Sequence, residues 1–224
     1  TDFDVVADPN LSPEQAARRR DFTINSLMMS PDGEILDFFG GQEDLKNGII
    51  KHIDPKTFIE DPLRVYRAAQ FAARFGFKIH PETIELASSM DLSNLPPERI
   101  NEEFTKMFLR SDKPSVGLDA LRSMQVLDRY FPEIAAMEFT PQRDDWHAEG
   151  NVYVHTLLAI DKAAEIIKNF PDEKDKRTIM LATLMHDSGK PLTTIQGKTG
   201  QPAQPGHEAA GIEPTKAFLG KLTN

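Results

Sequence analysis

The sequence predicts an α+β fold that is mostly α. Three observations lead there. Strand-type patterning is confined to residues 1–53. From about residue 56 apolar residues fall at helical spacing. Pro, Gly, Asp and Asn then punctuate that pattern into segments of ordinary helix length. A chain of 224 residues leaves room for one large or two modest domains. Its 39% apolar and 27% charged residues suit a globular protein with a real core.

The elements follow in order. Phe3, Val5 and Val6 form a short β-type run that starts as if in mid-strand, and Asp8-Pro9-Asn10 reads as a turn. Ser12 caps a helix with Pro13 at its first position and Gln15 three residues on. An apolar run over 22–29 ends at Pro31-Asp32-Gly33 and resumes over 35–39, which predicts a hairpin. Asp37, Gly40-Gly41 and Asp44-Leu45 read as a strand, a double-Gly turn and a capped helix. Ile49, Ile50 and Ile53 suggest one more short strand. Leu63, Tyr66, Ala69, Phe71, Ala72 and Phe75 then keep helical spacing, and Gly76 stops that helix. Further helices are expected over 80–90, 97–110, 113–124, 150–169 and 173–186. Residues 191–206, rich in Gly, Pro, Thr and Gln, read as a loop, and a boundary is expected near 142–145.

Composition excludes several functions. No run approaches 18 consecutive apolar residues, so no membrane span is expected, and no basic-then-apolar leader is visible. The absence of Cys removes disulfide scaffolds, thiolate zinc sites and cysteine nucleophiles. A net charge of −9 argues against a general basic coat for nucleic acid but leaves room for a local basic groove.

Four constellations bear chemistry. In Glu60-Asp61-Pro62-Leu63-Arg64-Val65-Tyr66-Arg67, read alone, Asp61 caps a helix and the arginines are solvated. The spacing adds a second reading, because Asp61, Arg64 and Arg67 are each three apart and would share a helix face. A carboxylate accepts and a guanidinium donates, which together match an amino group beside a ring nitrogen acceptor. Cytosine and adenine present that edge. Uracil and guanine present the reverse and would leave buried groups unpaired. In Arg19-Arg20-Asp21-Phe22-Thr23-Ile24-Asn25, Arg20 suits a phosphate, and Asp21 and Asn25 suit a ribose or phosphate. The Gly40-Gly41 turn alone says little. His147, His155, His186-Asp187 and His207-Glu208 offer imidazole and carboxylate groups suited to a divalent transition metal that activates water. Lys190, one turn after His186, would face a phosphate.

In order and spacing, Arg19 to Asn25, the Gly-Gly-x-x-Asp-Leu turn and Glu60-Asp61-x-x-Arg64 resemble the bacterial class II tRNA nucleotidyltransferases (CCA-adding enzymes) and the bacterial poly(A) polymerases. Residues 60–77 and Pro97-Glu98-Arg99-Ile100 with Glu102-Glu103-Phe104 are similar to the helical motifs that follow in that family. The resemblance covers nearly the whole chain. It implies a polymerase-β-like nucleotidyltransferase sheet, present as a remnant over 1–55. A helical neck and body for nucleotide templating and RNA binding follows over 56–143, then an incomplete helical HD domain over 144–224. It implies that Asp61 and Arg64 read the base, that Arg20, Asp21 and Asn25 surround its sugar and triphosphate, and that Arg67 supports the phosphates. His155, His186 and Asp187 become HD metal ligands, with His207 and Lys190 as possible additions.

The family's Gly-Gly turn and Asp-x-Asp strand, whose carboxylates hold two Mg²⁺ ions, are not found; Asp2 and Asp4 share the spacing but read as a later position. No catalytic residue is therefore assigned within the chain, and the Mg²⁺ ligands are expected outside it. The expected activity is template-free addition of C and A to the tRNA 3′ end from CTP and ATP, in the cytoplasm. A poly(A) polymerase or A-adding relative is the alternative, as is an HD phosphohydrolase acting alone or a non-catalytic RNA-binding remnant.

Overall fold

The computed structural model describes residues 11–143, 150–198 and 200–223. The expected strand and turn over 3–10, Asp2 and Asp4, His147, Glu149 and the boundary at 144–145 lie outside the described residues.

Helix α1 (Pro13–Arg18) starts as the sequence dictates. Ser12 Oγ accepts the Gln15 amide at 3.2 Å, and Gln15 Oε1 accepts the Ser12 amide at 2.9 Å. The apolar run over 22–29 is not one strand. A 3-10 turn, Thr23–Asn25, interrupts it, and only β1 (Met28–Met29) pairs antiparallel with β2 (Ile35–Leu36). The interruption comes from α2 (Gly41–Asn47), which packs on that turn. The Asp37 carboxylate caps α2, accepting the Gly41 amide at 2.8 Å and the Gln42 amide at 2.9 Å. Burial works against the charge on Asp37, and these amide donors outweigh it, holding its pKa below the usual range.

Gly41 is required by this packing. A Cβ there would lie 2.1 Å from the Thr23 carbonyl oxygen, and backbone cannot give way as a side chain can. Gly40 has φ 75° but open space around its Cα. G41A is therefore expected to cost about 3 kcal/mol of stability, and G40A only about 1 kcal/mol for its left-handed backbone. Urea unfolding of both variants decides this, and G41A unfolding no earlier than G40A would refute the packing argument.

Strand β3 (Ile49–Ile50) pairs parallel with β4 (Lys78–Ile79). Between them run α3 (Pro55–Glu60) and α4 (Leu63–Phe75), and Gly76 at φ 69° ends α4 as expected. Helices α5 (Pro81–Ser89), α6 (Pro97–Leu109) and α7 (Pro114–Ser123) match the predicted segments. So do α10 (Val152–Ile166) and α11 (Glu173–Met185); the short α8 (Val126–Tyr130) and α9 (Pro132–Ala135) are additions to the expected set.

Residues 191–206 are not a plain loop. They begin inside α12 (Lys190–Thr193) and form a hairpin of β5 (Ile195–Gln196) and β6 (Pro202–Ala203), followed by α13 (His207–Ala210) and α14 (Ile212–Gly220). Two-residue strands carry no legible alternation, so composition alone points to a loop.

Helix α4 is the centre of the core. Val65, Ala68, Ala69 and Ala72 are buried, and their small side chains let α7 and α6 approach closely. Phe104 of α6 meets Phe131 edge-on at 5.4 Å and Phe218 of α14 at 5.9 Å. Asp161 of α10 accepts both the Ser115 amide at 3.0 Å and its hydroxyl at 2.8 Å, tying α10 to the start of α7. The helices before and after residue 143 thus share one continuous core.

Candidate nucleotide site and candidate metal cluster

The first site lies where α1, the residue 20–25 segment, the α3–α4 junction and the start of α6 meet. Arg19, Arg20, Arg64, Arg67 and Arg99 line a cavity of about 230 Å³ with two carboxylates, Asp21 and Asp61. The cations outnumber the anions, and the N-terminus of α4 adds its positive dipole end. Such a cavity attracts a polyanion.

Asp21 is 6% exposed, accepts the Asn25 side-chain amide at 2.7 Å and pairs with Arg67 Nε. Asn25 Oδ1 in turn accepts the Phe22 amide at 3.1 Å. The sequence places Asp21 and Asn25 in one constellation and Arg67 in another, and the structure joins the two through Asp21, which bonds both Asn25 and Arg67. Burial works against the charge on Arg67, and Asp21 outweighs it, raising the guanidinium pKa above its ordinary value.

Asp61 and Arg64 differ from expectation in one respect. Asp61 is not on the helix face of Arg64 and Arg67. Its backbone is extended, φ −128° and ψ 98°, because the residue before a proline is pushed out of the helical region. It sits at the α3–α4 junction, where Oδ1 accepts the Leu63 amide at 3.2 Å and Oδ2 accepts Arg99 Nη2 at 2.9 Å. The Arg64 guanidinium donates to the carbonyls of Thr57 and Arg19, the latter at 3.2 Å. Each group is thus oriented separately, and both line the cavity. Arg99 is a site residue that sequence reasoning missed. Its Pro97-Glu98-Arg99 context is legible as a helix start, but a contact across 38 residues is not.

The second site joins α10, the end of α11 and α13. His155, His186 and Asp187 each offer a ligand atom, all within 4.8 Å of one another. Asn151 caps α10 through the Val154 amide at 2.9 Å and so sets the turn carrying His155. His186 Nδ1 lies 2.7 Å from the Thr183 carbonyl, which directs Nε2 toward Asp187 Oδ2 at 3.2 Å. His207 Nδ1 is likewise 2.9 Å from the Gln204 carbonyl, with Nε2 3.5 Å from Asp187 Oδ1. Burial works against the Asp187 charge; His186 and Lys190 outweigh it and hold the carboxyl well below the usual range. Asp187 in turn raises the His186 pKa.

These groups fit a divalent cation in part. Asp187 Oδ2 is sealed from solvent without a well-aligned hydrogen bond, as a ligand atom awaiting a cation would be. Against this, the Lys190 ammonium stands 2.8 Å from the same oxygen. The expectation that Lys190 faces a phosphate is corrected here. It is buried, held between Asp187 and Gln142 Oε1 at 2.6 Å. Beside the cluster lies a cavity of about 580 Å³, lined by Arg143, Lys190, Lys198 and His207 and walled by the β5–β6 hairpin.

Comparison with known proteins places the chain in a family. The poly A polymerase head domain model matches residues 3–51. A model described as the probable RNA and SrmB-binding site of polymerase A matches residues 76–138. Together they span half of the chain. The multifunctional CCA protein of Pasteurella multocida is 41% identical over 223 residues, covering 96% of this chain and 51% of the relative. That of Haemophilus influenzae is 39% identical over 229 residues, covering 99% and 54%. The chain therefore spans about half the length of the curated relatives it matches. Among solved structures, a tRNA-processing enzyme with CTP has a TM-score of 0.50 at 29% identity, over 82% of this chain and 54% of that one. A tRNA nucleotidyltransferase complexed with a primer tRNA and an incoming ATP analog has a TM-score of 0.51 at 23% identity, over 96% and 75%, a likeness of fold alone. With the arginine-rich cavity and its two carboxylates in place, the chain belongs to the family of CCA-adding enzymes and bacterial poly(A) polymerases.

Proposed function

We propose that this chain is the base-selecting and RNA-binding part of an enzyme that adds C and A to the tRNA 3′ end from CTP and ATP without a nucleic-acid template. One observation carries the reading: Asp61 and Arg64, acceptor and donor, line the same cavity as an excess of arginine. The carboxylate accepts the amino group of cytosine or adenine, and the guanidinium donates to the neighbouring ring nitrogen. Arg20 and Arg67 take the triphosphate, while Asp21 and Asn25 shape the sugar side. Residues 1–55 form part of a nucleotidyltransferase head and 56–143 a neck and body that docks tRNA. Residues 144–224 form an HD domain.

Mg²⁺ stabilises phosphoryl transfer in this kind of reaction. The carboxylates lining this cavity do not fit it, since Asp21 and Asp61 are each committed to an arginine. Its ligands are assigned outside these residues. A tRNA substrate places the reaction in the cytoplasm, and among the described residues no helix is long and apolar enough to cross a membrane.

A second reading is favoured by the compact set of His155, His186 and Asp187. It is a phosphohydrolase in which these three hold a divalent transition metal that activates water. His207, whose Nε2 lies 3.5 Å from Asp187 Oδ1, is then a further candidate ligand, and Lys190 balances the charge of Asp187.

The test is 3′ extension of tRNA lacking its terminal CCA by the intact protein with Mg²⁺. Extension by CTP and then ATP, and none by UTP or GTP, is expected. Extension by ATP alone in long runs would replace the reading with a poly(A) polymerase, and no extension at all would overturn it.

A further inference from the structure

We propose that Arg99 is a positioning residue for base selection, fixing the Asp61 carboxylate in the orientation that meets the incoming base. The inference rests on the base-reading role of Asp61 given above. Asp61 lies in extended backbone between two helices, so no helical turn fixes its side chain. Among the described residues two hydrogen bonds restrain it: the Leu63 amide at 3.2 Å on Oδ1 and Arg99 Nη2 at 2.9 Å on Oδ2. The second is charge-assisted and the shorter.

Helix stability does not explain Arg99. It is the third residue of α6, in a first turn where the helix dipole disfavours a cation. Its side chain is 46% exposed, so it fills no core position. It also lines the cavity that Asp61 and Arg64 line. A pinned carboxylate offers its remaining lone pairs in fixed directions and only accepts. Released from Arg99, it would rotate about the Leu63 contact. The acceptor would then be smeared, and the penalty on the carbonyl edge of uracil or guanine would fall.

The test compares the intact protein with R99A, R99K, D61A and the D61A/R99A double variant. Each is assayed for kcat/KM with all four nucleotides on tRNA lacking CCA. R99A is expected to lower the CTP-over-UTP preference about tenfold, with R99K in between, because an ammonium supplies charge without the planar fork. In the D61A background R99A should change the preference no further. Such non-additivity separates positioning from a general loss of stability or of tRNA affinity, which would lower all four nucleotides alike. If D61A shifts the preference and R99A leaves it at the wild-type value, this proposal falls while the base-reading role stands. It falls in the same way if the two effects multiply. If D61A itself leaves the preference unchanged, both fall.

Discussion

Replacing Asp61 is expected to produce the largest change in nucleotide choice of any substitution in this chain. On the proposed base-reading role, D61A removes the acceptor for the cytosine and adenine amino groups and, equally, the repulsion that excludes the uracil and guanine carbonyls. Sites that hydrogen-bond a polar group discriminate strongly because accepting the wrong partner means burying an unpaired group. A change of about 10²-fold in the CTP-over-UTP preference is expected, on the order of 3 kcal/mol. D61A also removes the acceptor on the Leu63 amide, at a cost of about 1 kcal/mol. D61N separates the two effects. Its amide oxygen still accepts from Leu63, while its NH₂ can donate to a carbonyl. D61N loses the Arg99 pair, which is partly exposed and so costs little stability, and should therefore melt close to wild type yet accept UTP and GTP. Single-nucleotide extension with each of the four nucleotides measures this. An unchanged preference in D61N with normal stability would remove Asp61 from base selection.

What the sequence makes legible is local. The Ser12 capping box, the Gly76 stop and the Pro-led starts of α5, α6 and α7 depend on neighbours within four residues, so residue type and spacing are enough. What is lost depends on distance or on very short elements. The parallel pairing of Ile49–Ile50 with Lys78–Ile79 needs the intervening helices to be in place. The β5–β6 hairpin is too short for a period to show. The same division holds in the site. His186-Asp187 and Asp61-x-x-Arg64 are legible because each lies in one short stretch. The Asp61–Arg99 pair and the Lys190–Gln142 bond span 38 and 48 residues and are not. Pro62 shows how one residue misleads: it marks the helix start correctly, and by the same restriction moves Asp61 off the helix face.

The candidate metal cluster yields a contrast between two neighbouring residues. His186 is 40% exposed at its side chain and is tied to the fold by a ring contact with the Thr183 carbonyl. Asp187 is buried, and Lys190, itself 7% exposed, relies on it for charge balance. Removing one partner of a buried ion pair strands the other and typically costs about 3–5 kcal/mol. H186A should leave the melting temperature nearly unchanged while removing one of three candidate ligands, lowering affinity for Zn²⁺, Mn²⁺ or Ni²⁺ by about 10²-fold or more. D187N should lose both metal binding and several degrees of stability. Titration of the metal-free protein with each cation, followed by melting with and without it, reads both effects. Stabilisation by the cation in wild type, and its absence in H186A, follows from linkage, because a cation that binds only the folded state raises its stability. Should H186A bind and be stabilised as strongly as wild type, the cluster is not a metal site. Asp187 would then be an anchor for Lys190.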